Sequence, residues 1–536
     1  MIKIAMTGAS GNMGRSAVKK IMELSFISKL TVLFLEEKRE KKLYKKWKKF
    51  YGEKIDFVWG TIANEQNCRK LIENADYVLH LAAVIPPKAD HFFDKAEECN
   101  DTGTKILVKA IEQAEKQPAF IHISTVAIYG NRNYKHPWGR VGDPLIPSAY
   151  DVYSVTKLCG ERAVISSKIK KWAVLRQTGI LHENLMSDNV KDGLLFHTTF
   201  NGTIEWVTAD DSGVLLKHIL LADSVAADEK ESGATQKEKD LALKLNIQDF
   251  WKNVYNIGGG DLNRITGYET FAEGFGIIGV TPEKFMNPKW NETRNFHCLW
   301  FADSDELDRR FCFRSGNIHD FWQAVKSEHP EFAAAKILPA KLLSAVVLKP
   351  LLKDDNAPVY WAEHGQDGRV IAAYGSREAY EKLSEKWEDF PLLCKGKLPD
   401  GTTCDYKTMK NIASAPSYSL NHGYDESKPF SEWTIDDARA AAIFRGGKLI
   451  TESMQKGDVY SPLEWENAYG ERFTLSAFAV MRAGHWDSEA ELAASWDFDR
   501  LAKNNPFYAQ VYYDSRKKDE NMRYYFNGKS PEYEKY

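Results

Sequence analysis

The feature that most constrains this chain stands at its start. Residues 3–14 read KIAMTGASGNMG: a short apolar run, then Gly8, Gly11 and Gly14 at three-residue spacing, then a helical pattern. A strand leading through glycines at that spacing into a helix is the opening unit of a dinucleotide-binding sheet. The first glycine permits a tight turn, the second lets a pyrophosphate approach bare backbone, and the third lets helix and strand pack closely. A helix beginning near Asn12 points its free N–H groups and the positive end of its dipole at the phosphates.

The pattern continues through the first 180 residues. Short β-branched runs, at Lys3–Thr7, Leu30–Leu35, Asp56–Val58, Tyr77–Leu81, Ala119–Ser124 and Trp172–Arg176, alternate with helical stretches, which predicts parallel βαβ units. Near-continuous apolar runs such as TVLFL suit a sheet covered on both faces. The expected fold is therefore α/β: a Rossmann-type, doubly wound parallel sheet with a smaller substrate-binding region. From Gly202 to about Phe321 short strands mix with helices, interrupted by a polar insertion at about 223–240.

The second strand ends in Leu35–Glu36–Glu37–Lys38–Arg39. An acid there accepts hydrogen bonds from the adenosine ribose and repels a 2′-phosphate, so Glu36 favours NAD over NADP. Lys38 and Arg39 offer the opposite reading, since either could pair with a 2′-phosphate. The basic stretch that follows, KREKKLYKKWKK, reads as a solvated helix face.

Tyr153 and Lys157 form YSVTK. At i and i+4 they share one helical face. A phenol that titrates near 10 exchanges protons poorly at pH 7 until a cation lies beside it. Lys157 can supply that charge and reach the nicotinamide ribose, so Tyr153 becomes the candidate acid/base for hydride transfer. Upstream, FIHISTVAIYG is a strand ending at Ser124–Thr125, which places a hydroxyl at the carboxyl end where ligands bind such sheets. Thr125 is the candidate partner of the substrate oxygen.

The order TGASGNMG, HLAA (His80–Ala83), NDTGT (Asn100–Thr104), STVAIYG (Ser124–Gly130), YSVTK and LRQTGI (Leu175–Ile180) resembles the extended short-chain dehydrogenase/reductase family. EWVTADDSG (Glu205–Gly213), YNIGGG (Tyr255–Gly260) and FADSDEL (Phe301–Leu307) extend the likeness over about residues 1–325. The resemblance implies that Thr125, Tyr153 and Lys157 are catalytic. It also implies that Gly8, Ser10, Gly11, Asn12, Met13 and Gly14 hold the cofactor together with Glu36 and Lys157, and that Ala82 and Ala83 line it. Nucleotide-sugar epimerases of the family usually carry Pro before the tyrosine and Arg-x-x-Asn after strand six. Here Val152 and Arg176–Gln177–Thr178–Gly179 stand at those places, and Gly60–Thr61 stands where members often carry Gly-Asp. The departures favour an alcohol dehydrogenase or carbonyl reductase, similar to steroid dehydrogenases and flavonol-type reductases.

Beyond about residue 330 the character changes. Phe332–Lys353 is an apolar stretch broken by Lys336, Lys341, Lys349 and two prolines, read as a connecting helix packed on the first domain, with peripheral membrane contact as the other reading. Residues 331–360 are thus expected as a connector and 361–536 as a separate α+β domain. TIDDARAAAIF predicts a helix capped by Thr434 with Asp437 at the third position. The aromatics Trp433, Trp465, Tyr469, Phe473, Trp486, Trp496, Phe507, Tyr508, Tyr512 and Tyr513 read as core.

Bulk numbers exclude several classes. The 72 basic residues are matched by 75 acidic ones, which speaks against a nucleic-acid partner. Seven scattered cysteines without a CxxC pair do not form a disulfide framework, and Cys394 and Cys404 lack two further ligands for zinc. No uncharged run reaches the ~20 residues of a membrane span. MIKIAMTGASG enters a strand at once, leaving no room for a signal peptide. These point to a cytoplasmic protein without a metal, acting on a small molecule, with homo-oligomerisation left open. The leading expectation is an NAD(P)-dependent oxidoreductase for a secondary alcohol or ketone, with an apolar or aromatic substrate suggested by 332–353 and the tryptophans. The alternatives are a nucleotide-sugar epimerase or dehydratase with tightly bound NAD, and a non-catalytic dinucleotide-sensing or scaffolding protein.

Overall fold

A computed structural model describes residues 1–227, 233–297, 299–332, 336–412, 419–486 and 495–536. Seven strands form the central sheet: β1 (Ile2–Thr7), β2 (Ile27–Phe34), β3 (Ile55–Trp59), β4 (Tyr77–His80), β5 (Ala119–Thr125), β6 (Trp172–Gln177) and β7 (Asn253–Ile257). All pair in parallel, in the order β7-β6-β5-β4-β1-β2-β3. The strand order reverses at β1, between β2 and β4. That is the switch point where crossovers diverge to the two faces and a crevice opens at the carboxyl ends. The Rossmann-type expectation therefore holds.

The helices are α1 (Asn12–Ile21), α2 (Lys38–Tyr51), α3 (Glu65–Ile72), α4 (Gly103–Glu112), α5 (Val152–Ile165) and α6 (Ala209–Ala227). On one face α1 and α6 bury Val18, Ile21, Leu215 and Ile219 against Ile4, Leu30 and Ile121 of the sheet. On the other, α3, α4 and α5 bury Leu71, Leu107, Ile111 and Leu158 against Val78, Phe120 and Val174. Strands with apolar residues on both faces need cover on both sides, which the helices supply. The polar insertion begins inside α6; residues 228–232 lie outside the described part, and a further helix, Gln236–Ala242, follows. Its cap is a reciprocal Thr235–Glu238 box, and Glu238 also accepts from the Ser25 amide at 2.8 Å.

Of the 332–353 stretch, residues 333–335 lie outside the described part. The rest holds the helix Ala340–Val347 and a 3-10 turn, Lys349–Lys353. Leu343, Val347, Leu348, Leu351 and Leu352 pack with Phe196, Phe200, Phe271 and Phe275 in a satellite core. Among the described residues no helix is long and apolar enough to cross a membrane.

The C-terminal region contains helices and two small three-stranded sheets. Its helix α7 (Asp367–Tyr374) faces the crevice described below. Helix α8 (Ile435–Phe444) carries the expected capping box between Thr434 and Asp437. The tryptophans read as core are core: Trp433, Trp465, Trp486 and Trp496 are all buried. They share one continuous apolar cluster with Val78, Phe120 and Trp172 of the central sheet. Trp172 of β6 meets Phe478 edge-on, with centroids 5.8 Å apart.

Candidate active site

The glycine loop is shaped as the sequence predicts. Gly8 has φ +70, and a β-carbon there would lie 2.5 Å from the backbone of Leu81 and Ala82. A β-carbon on Gly14 would fall 2.1 Å from the Gly8 carbonyl, so strand and helix meet only because both positions are bare. Gly11 is less crowded: a β-carbon there would meet a single atom, the Gly8 carbonyl oxygen, at 3.3 Å. Gly11 is also the N-cap of α1, and no side chain caps that helix. Helices α3 and α5 are capped by Asn64 and Asp151. The N-terminus of α1 thus keeps its amides free for an anion.

Across the crevice, Ala82 and Ala83 follow β4. The Ala82 amide donates to Thr7 Oγ1 at 3.1 Å. Asn100, fully buried, accepts from the Val84 amide at 2.8 Å and donates to the Val84 carbonyl and to Thr156 Oγ1. One amide side chain therefore ties the alanine loop to α5, next to Lys157. Sequence reading saw Asn100 only as part of a motif; its two-sided role needs the fold. Beneath the loop, His80 bridges Thr7 and Thr104 at 2.7 and 2.9 Å. Burial holds it far below the usual histidine range, so it stays neutral.

Tyr153 and Lys157 lie on α5 facing the end of β5. The Thr125 hydroxyl neighbours the Tyr153 phenol. Burial pushes the phenol up to about 12, with Asp151 adding to the shift and Thr125 opposing it. Lys157 Nζ donates to the Ile123 carbonyl at 2.7 Å, and burial brings this amine down to about 8. Ser124, beside Thr125, is committed elsewhere: its hydroxyl donates to Glu161 at 2.5 Å. The structure thus gathers Thr125, Tyr153 and Lys157 at the carboxyl edge of β5. Glu36 lies exposed just beyond the end of β2, at the far side of the glycine loop.

Tyr150 and Asp151, just before Tyr153 in the chain, line a cleft together with Pro86, Asp90, Glu292 and Arg369 among others. Two of its walls, Trp361 and Arg369, come from beyond residue 330. Glu292 is 4% exposed, and its carboxyl lies 3.8 Å from the His197 ring. Burial holds His197 down to about 4, hence neutral, and pushes the Glu292 carboxyl well above the carboxylate range. Burial, then Asp151, raises Asp90 to about 7. Arg369 has no hydrogen bond or ion pair among the described residues; its guanidinium lies over the Trp361 ring at 5.0 Å, with Nε buried and unpaired. Local sequence carried no signal for this cleft, because its groups come from segments far apart in the chain.

Fold and loop geometry together define a Rossmann-type α/β protein with a tyrosine–lysine helix at its crevice. Residues 4–176 match the model of the NAD dependent epimerase/dehydratase family. Among curated proteins the chain is similar to bovine (Bos taurus) fatty acyl-CoA reductase 2, 27% identical over 154 residues, covering 25% of this chain and 29% of that protein. It is also similar to dTDP-4-dehydrorhamnose reductase of Mycolicibacterium smegmatis, 32% identical over 114 residues, covering 21% of this chain and 33% of that protein. The chain thus spans about a third or less of the length of these relatives. Among solved structures, UDP-glucuronic acid 4-epimerase from Bacillus cereus in complex with NAD matches with a TM-score of 0.43 and 20% identity, over 64% of this chain and 100% of that one. A dTDP-glucose 4,6-dehydratase from Streptomyces venezuelae with NAD bound matches at 0.44 and 18%, over 62% and 97%.

Proposed function

We propose that the chain is an NAD(P)-dependent oxidoreductase that interconverts a secondary alcohol and a carbonyl on a small polar substrate. The observation that carries this reading is the meeting of Thr125 and Tyr153 at the carboxyl edge of β5, one helical turn from the buried Lys157. The bare backbone at Gly11 and the uncapped start of α1 fit a pyrophosphate. When bound, the nicotinamide gives or takes the hydride. Thr125 and Tyr153 hold the reacting oxygen between two hydroxyls, and Tyr153 passes a proton to or from it at the phenolic oxygen. Lys157 places a positive charge behind that exchange, and Asn100 keeps the Ala82–Val84 loop and α5 in register.

The cleft argues for a polar substrate rather than the apolar or aromatic one expected from the tryptophans. Those tryptophans are spent in the core, and the 336–353 segment packs on Phe196 and Phe271 instead of lining the cleft. Beside Trp361, Phe296 and Leu194, the cleft is lined by Asp90, Glu292 and an Arg369 that has no hydrogen bond or ion pair among the described residues. Buried polar groups without partners cost free energy that a hydrogen-bonding ligand offsets.

The test is Tyr153→Phe, assayed against a panel of polar alcohols and carbonyls. Turnover is expected to fall by about two to four orders of magnitude while nucleotide affinity stays within about twofold. Undiminished turnover would remove the acid/base assignment. The family match favours a second reading, an epimerase or dehydratase that retains NAD. Nucleotide that stays with the protein through gel filtration and survives turnover unchanged would select it.

A further inference from the structure

The helix Ala340–Val347 is apolar on both sides, and only one side is covered. Leu343 and Val347 pack into the satellite core, with Ser344 and Leu348 buried beside them. The opposite arc carries Leu342, Ala345 and Val346, all exposed. Leu342 and Val346 stand at i and i+4 and are neighbours on the helix surface. Just before the helix, Ile337 and Leu338 are exposed as well. Ile337 is 84% exposed and Val346 67%. A single exposed leucine or valine is ordinary, whereas four large apolar side chains gathered on one short segment mark an interaction surface.

The charge around this patch has one sign. From Lys336 to Lys353 the chain holds four lysines, at 336, 341, 349 and 353, and no acid. All four are exposed, and among the described residues none of them forms an ion pair. The whole chain sets 72 basic residues against 75 acidic ones, so the excess is local. A second copy of the chain would answer this surface poorly. In a two-fold dimer the patch meets itself, which sets lysine against lysine with no acid of the segment to pair them. A helix of eight residues and the few before it also fall short of the roughly 20–30 residues a side that a stable interface uses. The surface of an anionic bilayer answers both features at once. Its headgroups pair with lysine, and the acyl boundary beneath them takes the apolar side chains. Lysine stems lie along apolar surface while their heads stay in water.

We propose that the exposed face of residues 336–349 is a docking surface for an anionic membrane. Ile337, Leu338, Leu342 and Val346 enter the headgroup boundary, and Lys336, Lys341 and Lys349 pair with acidic lipids. The helix lies in the interface plane, since no helix among the described residues is long and apolar enough to cross a bilayer. The docking surface is independent of the reaction assigned above.

Flotation of the full chain with lipid vesicles tests this. Vesicles of phosphatidylcholine alone are compared with vesicles that also contain phosphatidylserine. The wild type is expected to float with the mixed vesicles at least about tenfold more than with phosphatidylcholine alone, and to be released by high salt. Leu342→Glu combined with Val346→Glu should lower the bound fraction at least about tenfold, and so should Lys341→Glu combined with Lys349→Glu. Both double variants should keep the urea midpoint of the wild type. Should the apolar variant fold poorly, the lysine variant decides alone. A wild type that stays off the mixed vesicles, binds both kinds equally, or keeps its binding in the lysine variant overturns the proposal. So does a wild-type dimer, seen by light scattering, that the apolar variant turns into a monomer, because the face would then belong to a second copy.

Discussion

Tyr153 and Lys157 share one helical face but not one environment. The phenol sits at the crevice with Thr125, whereas the ammonium points inward to the Ile123 carbonyl. Burial shifts both toward their neutral forms, upward for the phenol and downward for the amine. The consequence for activity has a definite sign. Lys157 ordinarily stays charged to about 10.4; here the charge is lost as pH rises through about 8. For carbonyl reduction, kcat/KM is expected to fall about tenfold per pH unit above 8, and Lys157→Met should remove that limb along with most of the rate. A profile flat from pH 7 to 9.5 with saturating cofactor would contradict the role given to this lysine. The pair itself was legible in the sequence because i, i+4 spacing is local. The inward turn of the ammonium was not, since it depends on which carbonyl of a neighbouring strand lies within reach.

At the scale of elements, what joins the catalytic helix to the C-terminal region is a buried polar network. Glu161 of α5 pairs with Arg176 of β6 at 2.6 Å, and neither side chain is exposed. The same guanidinium donates to Tyr129 and to the Ala483 carbonyl, each at 2.7 Å. His485 lies 3.0 Å from Glu161; burial keeps it down to about 4, so at neutral pH it takes part as an uncharged ring. Arg176 together with the other donors holds the Glu161 carboxyl below the usual range, against the opposing effect of burial. Breaking a buried pair strands a charge, at a cost of about 3–5 kcal/mol. Glu161→Gln should therefore lower the urea midpoint markedly and loosen Ser124 beside Thr125. An unchanged midpoint would mean that the network is already solvated. The strands and the α8 cap were readable because each rests on local periodicity or on residues three apart. Arg176 was read only as a strand end inside a motif, because its partners lie 15, 47 and 307 residues away.

At the scale of the whole molecule, the C-terminal region packs against the central sheet. Residues beyond 330 were expected as a connector and a separate α+β domain, and they do carry their own small sheets and caps. Yet Phe478, Trp486 and Phe507 lie in the same apolar cluster as Phe120, Val174 and Trp172, so the C-terminal region covers part of one face of the central sheet. It also supplies Trp361 and Arg369 to the cleft. Sequence pattern could show that these aromatics belong to a core, but not which core, because burial against a distant strand leaves no periodic trace. Each buried aromatic removes on the order of 150–250 Å² from water, worth about 25 cal/mol per Å². Stripping several of them from the sheet costs more than the roughly 5–15 kcal/mol by which a folded domain is held. A chain ending at residue 330 is therefore expected to aggregate or to bind a hydrophobic dye strongly, and to show no cooperative unfolding by circular dichroism. A soluble, cooperatively melting 1–330 fragment would show that the glycine-loop half stands alone. If that fragment also bound dinucleotide while failing to turn over polar substrates, the C-terminal region would be reduced to the cleft wall that Arg369 and Trp361 provide.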